Sequence, residues 1–120
     1  MDRITLKNIK AYGFTGCLPE EKEKGQYFYI TCEISCGDIR GKVTDDLSDT
    51  VDYSEVMSLI VSRTKKSRFD LIEHLAYVLA GDVLEYSPLA EEVKIIISKP
   101  DAPMEGGFET VTTEITRRRD

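Results

Sequence analysis

The sequence predicts an α+β domain with element order ββααββ: a four-stranded antiparallel sheet with two helices on one face. Three observations predict it. Residues 27–36 alternate apolar and polar side chains with the period of a strand, and shorter alternations recur near residues 93–98 and 111–115. Two stretches between them carry apolar residues at helical spacing. Sequential strands usually pair, so the two strands before the helices and the two after them form one sheet.

The first strand is marked by Ile4, Leu6 and Ile9, with a register shift expected between them. Gly13 and Gly16 bracket a turn, and Pro19-Glu20-Glu21 reads as loop. The second strand is the clearest: Phe28, Ile30, Cys32, Ile34 and Cys36 share one face, opposite Tyr27, Tyr29, Thr31, Glu33 and Ser35. Two tyrosines on the outward face suggest that this face is also partly covered. Residues 37–48 are polar and read as a connection with at most short structure.

Val56, Leu59 and Ile60 give the first helix its apolar face, and Asp52 with Glu55 has the spacing of a capping box at its start. It fades in Arg63-Thr64-Lys65-Lys66-Ser67. Leu71, Leu75, Val78, Leu79, Val83 and Tyr86 outline a second helix, for which Asp70 and Glu73 have the same cap spacing; Pro88 limits its extent. Val93, Ile95 and Ile97 mark the third strand, ended by Pro100. Val111, Thr113 and Ile115 mark the fourth. No repeat or linker divides the 120 residues, so residues 1–120 form a single domain. Its two sheet edges and uncovered face favour oligomerisation into a barrel.

Composition narrows the function. A net charge of −6 argues against phosphate-backbone binding, so no nucleic acid is expected. Arg117-Arg118-Arg119 reads as a solvated strand end. No apolar run approaches the ~20 residues of a membrane span, and Met1-Asp2-Arg3 leads directly into strand pattern, so a cytoplasmic setting is expected. Three cysteines make a disulfide framework improbable. Cys32 and Cys36 stand ~13 Å apart along a strand, too far to share a zinc ion, and no metal site or cofactor is expected.

Several side chains suit chemistry. Lys99 closes the third strand before Pro100, which holds it extended, and a desolvated lysine can act as a base. Glu73 lies in the first turn of a helix among apolar neighbours. The helix dipole accounts for an acid there, but so would recognition of an amidine-like edge through two parallel N–H bonds. Tyr53 suits either ring stacking and proton relay or packing at a helix start. Glu21 is otherwise a solvated loop acid. Residue types alone leave these alternatives open.

In order along the chain stand Tyr12-Gly13-Phe14-Thr15-Gly16, Pro19-Glu20-Glu21, Gly25-Gln26, Thr50-Val51-Asp52-Tyr53, Leu71-Ile72-Glu73-His74-Leu75 and Lys99-Pro100-Asp101. Together these segments resemble the dihydroneopterin aldolases, folate-pathway enzymes of the tunnelling fold, over nearly the whole chain. The resemblance implies retro-aldol cleavage of 7,8-dihydroneopterin without a metal or a lysine Schiff base. It implies that Glu73, with backbone near Ile72, anchors the pterin, that Lys99 moves a proton, and that Tyr53 reaches the ring from a neighbouring subunit. Glu21 would contact the substrate and order Lys99, while Val51, Asp52, Leu71 and Cys17 would wall the site. It further implies tetrameric rings that stack into octamers. Phe14-Thr15-Gly16 departs from the family's usual Tyr-His-Gly, and residues 102–107 from its usual Pro-rich loop. Sister readings are a dihydroneopterin triphosphate epimerase, using Lys65, Lys66 and Arg68, and a non-catalytic pterin- or purine-binding module.

Overall fold

A computed structural model describes all 120 residues. Strand β1 (Asp2–Gly13) leads into a short helix α1 (Pro19–Lys24), strand β2 (Gln26–Cys36) and a single turn of helix, α2 (Gly41–Thr44). A 3₁₀ turn at Leu47–Asp49 precedes the two long helices, α3 (Tyr53–Lys66) and α4 (Ile72–Tyr86). Strands β3 (Ala90–Lys99) and β4 (Val111–Arg118) complete the chain. The sheet is antiparallel throughout, in the order β1-β2-β3-β4.

The alternation seen in the sequence sets the register. Ile30 faces Ile97, Cys32 faces Ile95 and Ile34 faces Val93 across β2 and β3, so all six side chains project together. They meet Val56 and Ile60 of α3 and Leu75, Leu79 and Val83 of α4 in one fully buried core. The opposite face is polar. Ion pairs Arg3–Glu33, Lys94–Glu114 and Arg118–Glu92 lie along it, with Thr31 and Ile96 among the partly exposed residues of its central strands. The expected shift in β1 falls between Leu6 and Ile9, where Asn8 takes a positive φ of 55°. Cys32 and Cys36 are core thiols; burial, then the neighbouring Glu33, pushes Cys32 up to about 12.

Three expectations are corrected. Pro19-Glu20-Glu21 is not loop but the start of α1: Pro19 opens the helix, and Glu21 reaches back to the Leu18 N–H at 3.3 Å. Asp70 does not cap α4, whose cap residue is Leu71 and carries no side-chain cap bond. Asp70 instead pairs with Lys22 at 2.5 Å. Asp52, by contrast, does cap α3, accepting from the backbone N–H groups of Ser54 and Glu55. Finally, the arginine run is engaged rather than merely solvated. Arg117 lies over the Tyr77 ring at 3.9 Å and Arg118 pairs with Glu92. Arg119 donates to the carbonyls of Leu84, Ser87 and Ala90.

Candidate active site

Lys99 ends β3, and its ammonium lies 2.5 Å from Oε2 of Glu21, both side chains largely removed from solvent. Two further donors hold the carboxylate. Gln26 gives its Nε2–H to the same Oε2 at 2.9 Å, and the Leu18 backbone gives its N–H to Oε1 at 3.3 Å. Burial alone would raise the Glu21 carboxyl, but the bonds from Lys99, Gln26 and Leu18 outweigh it and hold the group below the usual carboxylate range. Three separate elements, α1, β2 and β3, therefore converge on one ionised pair.

Two glycines make room for it. A Cβ on Gly16 would lie within 2.6 Å of all three carboxyl atoms of Glu21. Gly25, with φ 71°, ends α1 by donating its N–H to Glu21 O at 3.0 Å and turns the chain directly into β2. Glu21 is thus held by its carboxylate at the start of a six-residue helix and by its backbone carbonyl at the end.

The turn that carries this pair is fastened to the turn before α4. Gly16 N–H donates to Phe69 O at 2.9 Å, and the Cys17 thiol lies 3.4 Å from Asp70 O. Lys22 reaches the carbonyls of Gly16 and Phe69 together with the Asp70 carboxylate. These contacts bring the start of α4 beside the loop that bears Glu21. Leu71 is half-exposed there, Ile72 is buried, and Glu73 is exposed in the first turn, where the helix N-terminus favours an anion. A hollow of about 330 Å³ opens beside the pair, bordered by Tyr12, Gln26, Tyr27, Asp101 and Pro103. No three His, Cys, Asp or Glu side chains converge as a cation site.

The other expected residues lie at the far end of the chain's own fold. Val51 is buried, Asp52 caps α3 and Tyr53 is 60% exposed. Val51 and Asp52 border a hollow with Ser87, Pro88 and Leu89, next to the start of β3. Lys99 is at that strand's other end, ~30 Å away at 3.3 Å per residue. One chain therefore pairs Lys99 with Glu21 and ties the turn that holds Cys17 to the turn before Leu71, Ile72 and Glu73, while Val51, Asp52 and Tyr53 lie elsewhere. Sequence reading passed over Gln26 as a partner of Glu21 and Gly16 as its seat. The Leu18-Pro19-Glu20-Glu21 order, with Pro at the first helical position and Glu at the third, was the available signal for α1.

A sheet backed by two long helices, with a buried acid–lysine pair at one end, places the chain among the tunnelling-fold proteins. The structure superposes on E. coli dihydroneopterin aldolase, solved with neopterin, with a TM-score of 0.87 and 24% identity, covering 98% of this chain and 99% of that one. It also matches a Burkholderia dihydroneopterin aldolase bound to guanine (TM-score 0.81, 22% identity, 99% and 92% covered). A uricase from Bacillus fastidious shares the fold at TM-score 0.72 and 12% identity, covering 97% of this chain but 44% of the uricase.

Sequence relations are closer. The dihydroneopterin aldolase (FolB) family matches residues 4–116. The dihydroneopterin aldolase of Streptomyces coelicolor is 35% identical over 119 residues, 99% of each chain. That of Streptococcus pyogenes is 32% identical over 119 residues, 99% of this chain and all of the other. The chain belongs to the dihydroneopterin aldolase family.

Proposed function

We propose that this protein cleaves 7,8-dihydroneopterin by a retro-aldol reaction to 6-hydroxymethyl-7,8-dihydropterin and glycolaldehyde, a step of folate biosynthesis. The observation that carries the assignment is the Glu21–Lys99 pair, 2.5 Å apart and largely shielded from water, beside the first turn of α4. A binding module for a flat heterocycle needs an anchor such as Glu73, but it has no use for a shielded, hydrogen-bonded acid–lysine pair. Arg68, one of the cations a triphosphate would need, is occupied over the Phe14 ring and on the Lys22 carbonyl, which favours the aldolase over the epimerase.

In this reading Glu73 accepts two N–H bonds from the 2-amino group and N3 of the pterin, with backbone near Ile72 beside it. Leu71 and Cys17 border the ring. Lys99 gives a proton to the pterin ring through a water and, neutral once it has done so, takes the proton from the side-chain hydroxyl. The bond to the departing two-carbon fragment breaks, its electrons pass into the protonated ring, and glycolaldehyde leaves. The enol-like product then takes a proton, assisted by Tyr53. The protonated ring is the electron sink, the part that a metal ion or a lysine Schiff base plays in other aldol cleavages.

Tyr53, Val51 and Asp52 reach this site from a neighbouring subunit, since ~30 Å separates them from Lys99 within one chain. Closure of four sheets into a ring, with two rings stacked as an octamer, would supply that neighbour. A cytoplasmic setting is consistent with the absence of any helix long and apolar enough to cross a membrane.

The direct test supplies 7,8-dihydroneopterin and measures glycolaldehyde. Lys99→Ala is expected to lower kcat by ~100-fold or more with pterin affinity largely kept. Glu73→Ala should weaken pterin binding by ~100-fold, the loss of two charge-assisted bonds. Ordinary turnover by Lys99→Ala would refute its role in proton transfer, and undiminished pterin binding by Glu73→Ala would refute the anchor.

A further inference from the structure

The amide of Gln26 has one satisfied end and one open end. Its Nε2 donates to Glu21 Oε2 at 2.9 Å. Its Oε1 is inaccessible to solvent yet has no hydrogen-bond partner. The orientation follows from chemistry. An amide oxygen turned toward the carboxylate would set two acceptors against each other, so the nitrogen must face Glu21 and the oxygen must face away. A buried acceptor left without a donor is costly, by about 1–3 kcal/mol, and folded proteins seldom tolerate it without a use.

The location supplies the use. Glu21 Oε2 is shared between Gln26 and Lys99, and Gln26 borders the hollow that opens beside that pair. We propose that Gln26 is a positioning residue of the aldol cleavage: its amide N–H holds Glu21 Oε2 against Lys99, and the buried, unpartnered oxygen is what that orientation of the amide costs. This rests on the aldolase reading given above. Two consequences follow. The donor to Oε2 favours the ionised form of Glu21, so its removal makes Glu21 easier to protonate. A Glu21 carboxylate no longer held on this side leaves Lys99 less well placed, so loss of the amide also slows proton transfer without touching the Glu73 anchor.

Glu21 is faced by Lys99 from β3, Gln26 from β2 and the Leu18 N–H of its own turn. The remaining titratable groups around the hollow are Tyr12, Glu20, Lys24, Tyr27 and Asp101. None of these makes a hydrogen bond or ion pair with the Glu21 side chain, so a change in its titration on altering Gln26 is assignable to Gln26.

The experiment uses the full chain with Gln26→Leu and Gln26→Glu, followed in two ways. The acid limb of kcat/KM for 7,8-dihydroneopterin should move to higher pH in Gln26→Leu, with kcat lowered about tenfold and KM changed less than about threefold. Gln26→Glu keeps the shape but replaces the donor by a second carboxylate, so the limb should move further in the same direction. Carboxyl ¹³C NMR of labelled glutamate reads Glu21 without any turnover and should show the same upward displacement. A lowered kcat with both the acid limb and the Glu21 resonance unmoved would mean that Gln26 merely packs, and would overturn the proposal. So would wild-type turnover in Gln26→Leu. A wild-type protein that released no glycolaldehyde would instead sink the aldolase reading, while the NMR titration would still report the Gln26–Glu21 bond.

Discussion

Gly16 has no side chain, and the carboxyl group of Glu21 occupies the space where one would be. Every atom of that carboxyl group would stand 2.4–2.6 Å from an added Cβ, far inside contact distance, and the donors Leu18, Gln26 and Lys99 fix the carboxylate so that it cannot simply swing aside. Gly16→Ala should therefore displace Glu21 from Lys99. A misplacement of about 1 Å at a reacting group costs on the order of 100-fold, and kcat for 7,8-dihydroneopterin is expected to fall by about that factor. The fold should persist, because Gly16 lies in a turn outside the sheet; circular dichroism unchanged beside lost turnover is the expected pair of results. Kinetics like wild type would show that the carboxylate is free to move. Reading residues in order had suggested Glu21 and Lys99 separately as a loop acid and a strand-end lysine. Only the family resemblance linked the two, since their contact joins positions 78 apart in sequence and depends on the space a glycine leaves.

At the scale of elements, period and caps were legible where local chemistry decides them. The alternation of β2, the shift in β1 and the Asp52 cap of α3 all stand as read. Where a residue had a competing long-range partner, local rules failed. Asp70 has the spacing of a cap but is drawn to Lys22, and Arg117-Arg118-Arg119 looks like a charge run but is bound. Arg119 is the clearest case. Helix α4 ends with unpaired carbonyls, as any helix does, and lacks a basic residue in its last turn. Arg119 supplies the missing cation from the other end of the chain, donating to Leu84 O and Ser87 O while its Nε holds Ala90 O at 2.8 Å. The C-terminus is thereby tied to the α4–β3 junction. Arg119→Ala should lower unfolding free energy by ~1–2 kcal/mol, a discounted figure for charge-assisted bonds near solvent. Urea denaturation would register this as a lower midpoint at unchanged slope; an unaltered midpoint would show that water replaces the guanidinium without loss.

The whole molecule is elongated. Its radius of gyration is 15.3 Å, above the ~13.6 Å of a compact 120-residue chain, and its longest dimension is 51 Å. Both β1 and β4 are edge strands, and one face of the sheet, covered by no helix, bears ion pairs, threonines such as Thr31 and scattered apolar side chains. Residues 51–53 and Lys99 lie at opposite ends of the fold, so the proposed site, which uses both, is a site between chains. This separation allows a test that does not depend on the size of the assembly. Tyr53→Ala and Lys99→Ala should each abolish turnover as pure proteins. Coexpressed, they form mixed assemblies in which a contact between one chain's residue 53 and its neighbour's residue 99 joins two intact residues in about one case in four. Mixed protein should therefore recover about a quarter of wild-type activity per site. If both residues came from the same chain, every site would contain one altered residue, and no amount of mixing would restore glycolaldehyde release. Recovery also requires that assembly hold at assay concentration, so sedimentation of the mixture as a single species larger than a monomer is the accompanying expectation.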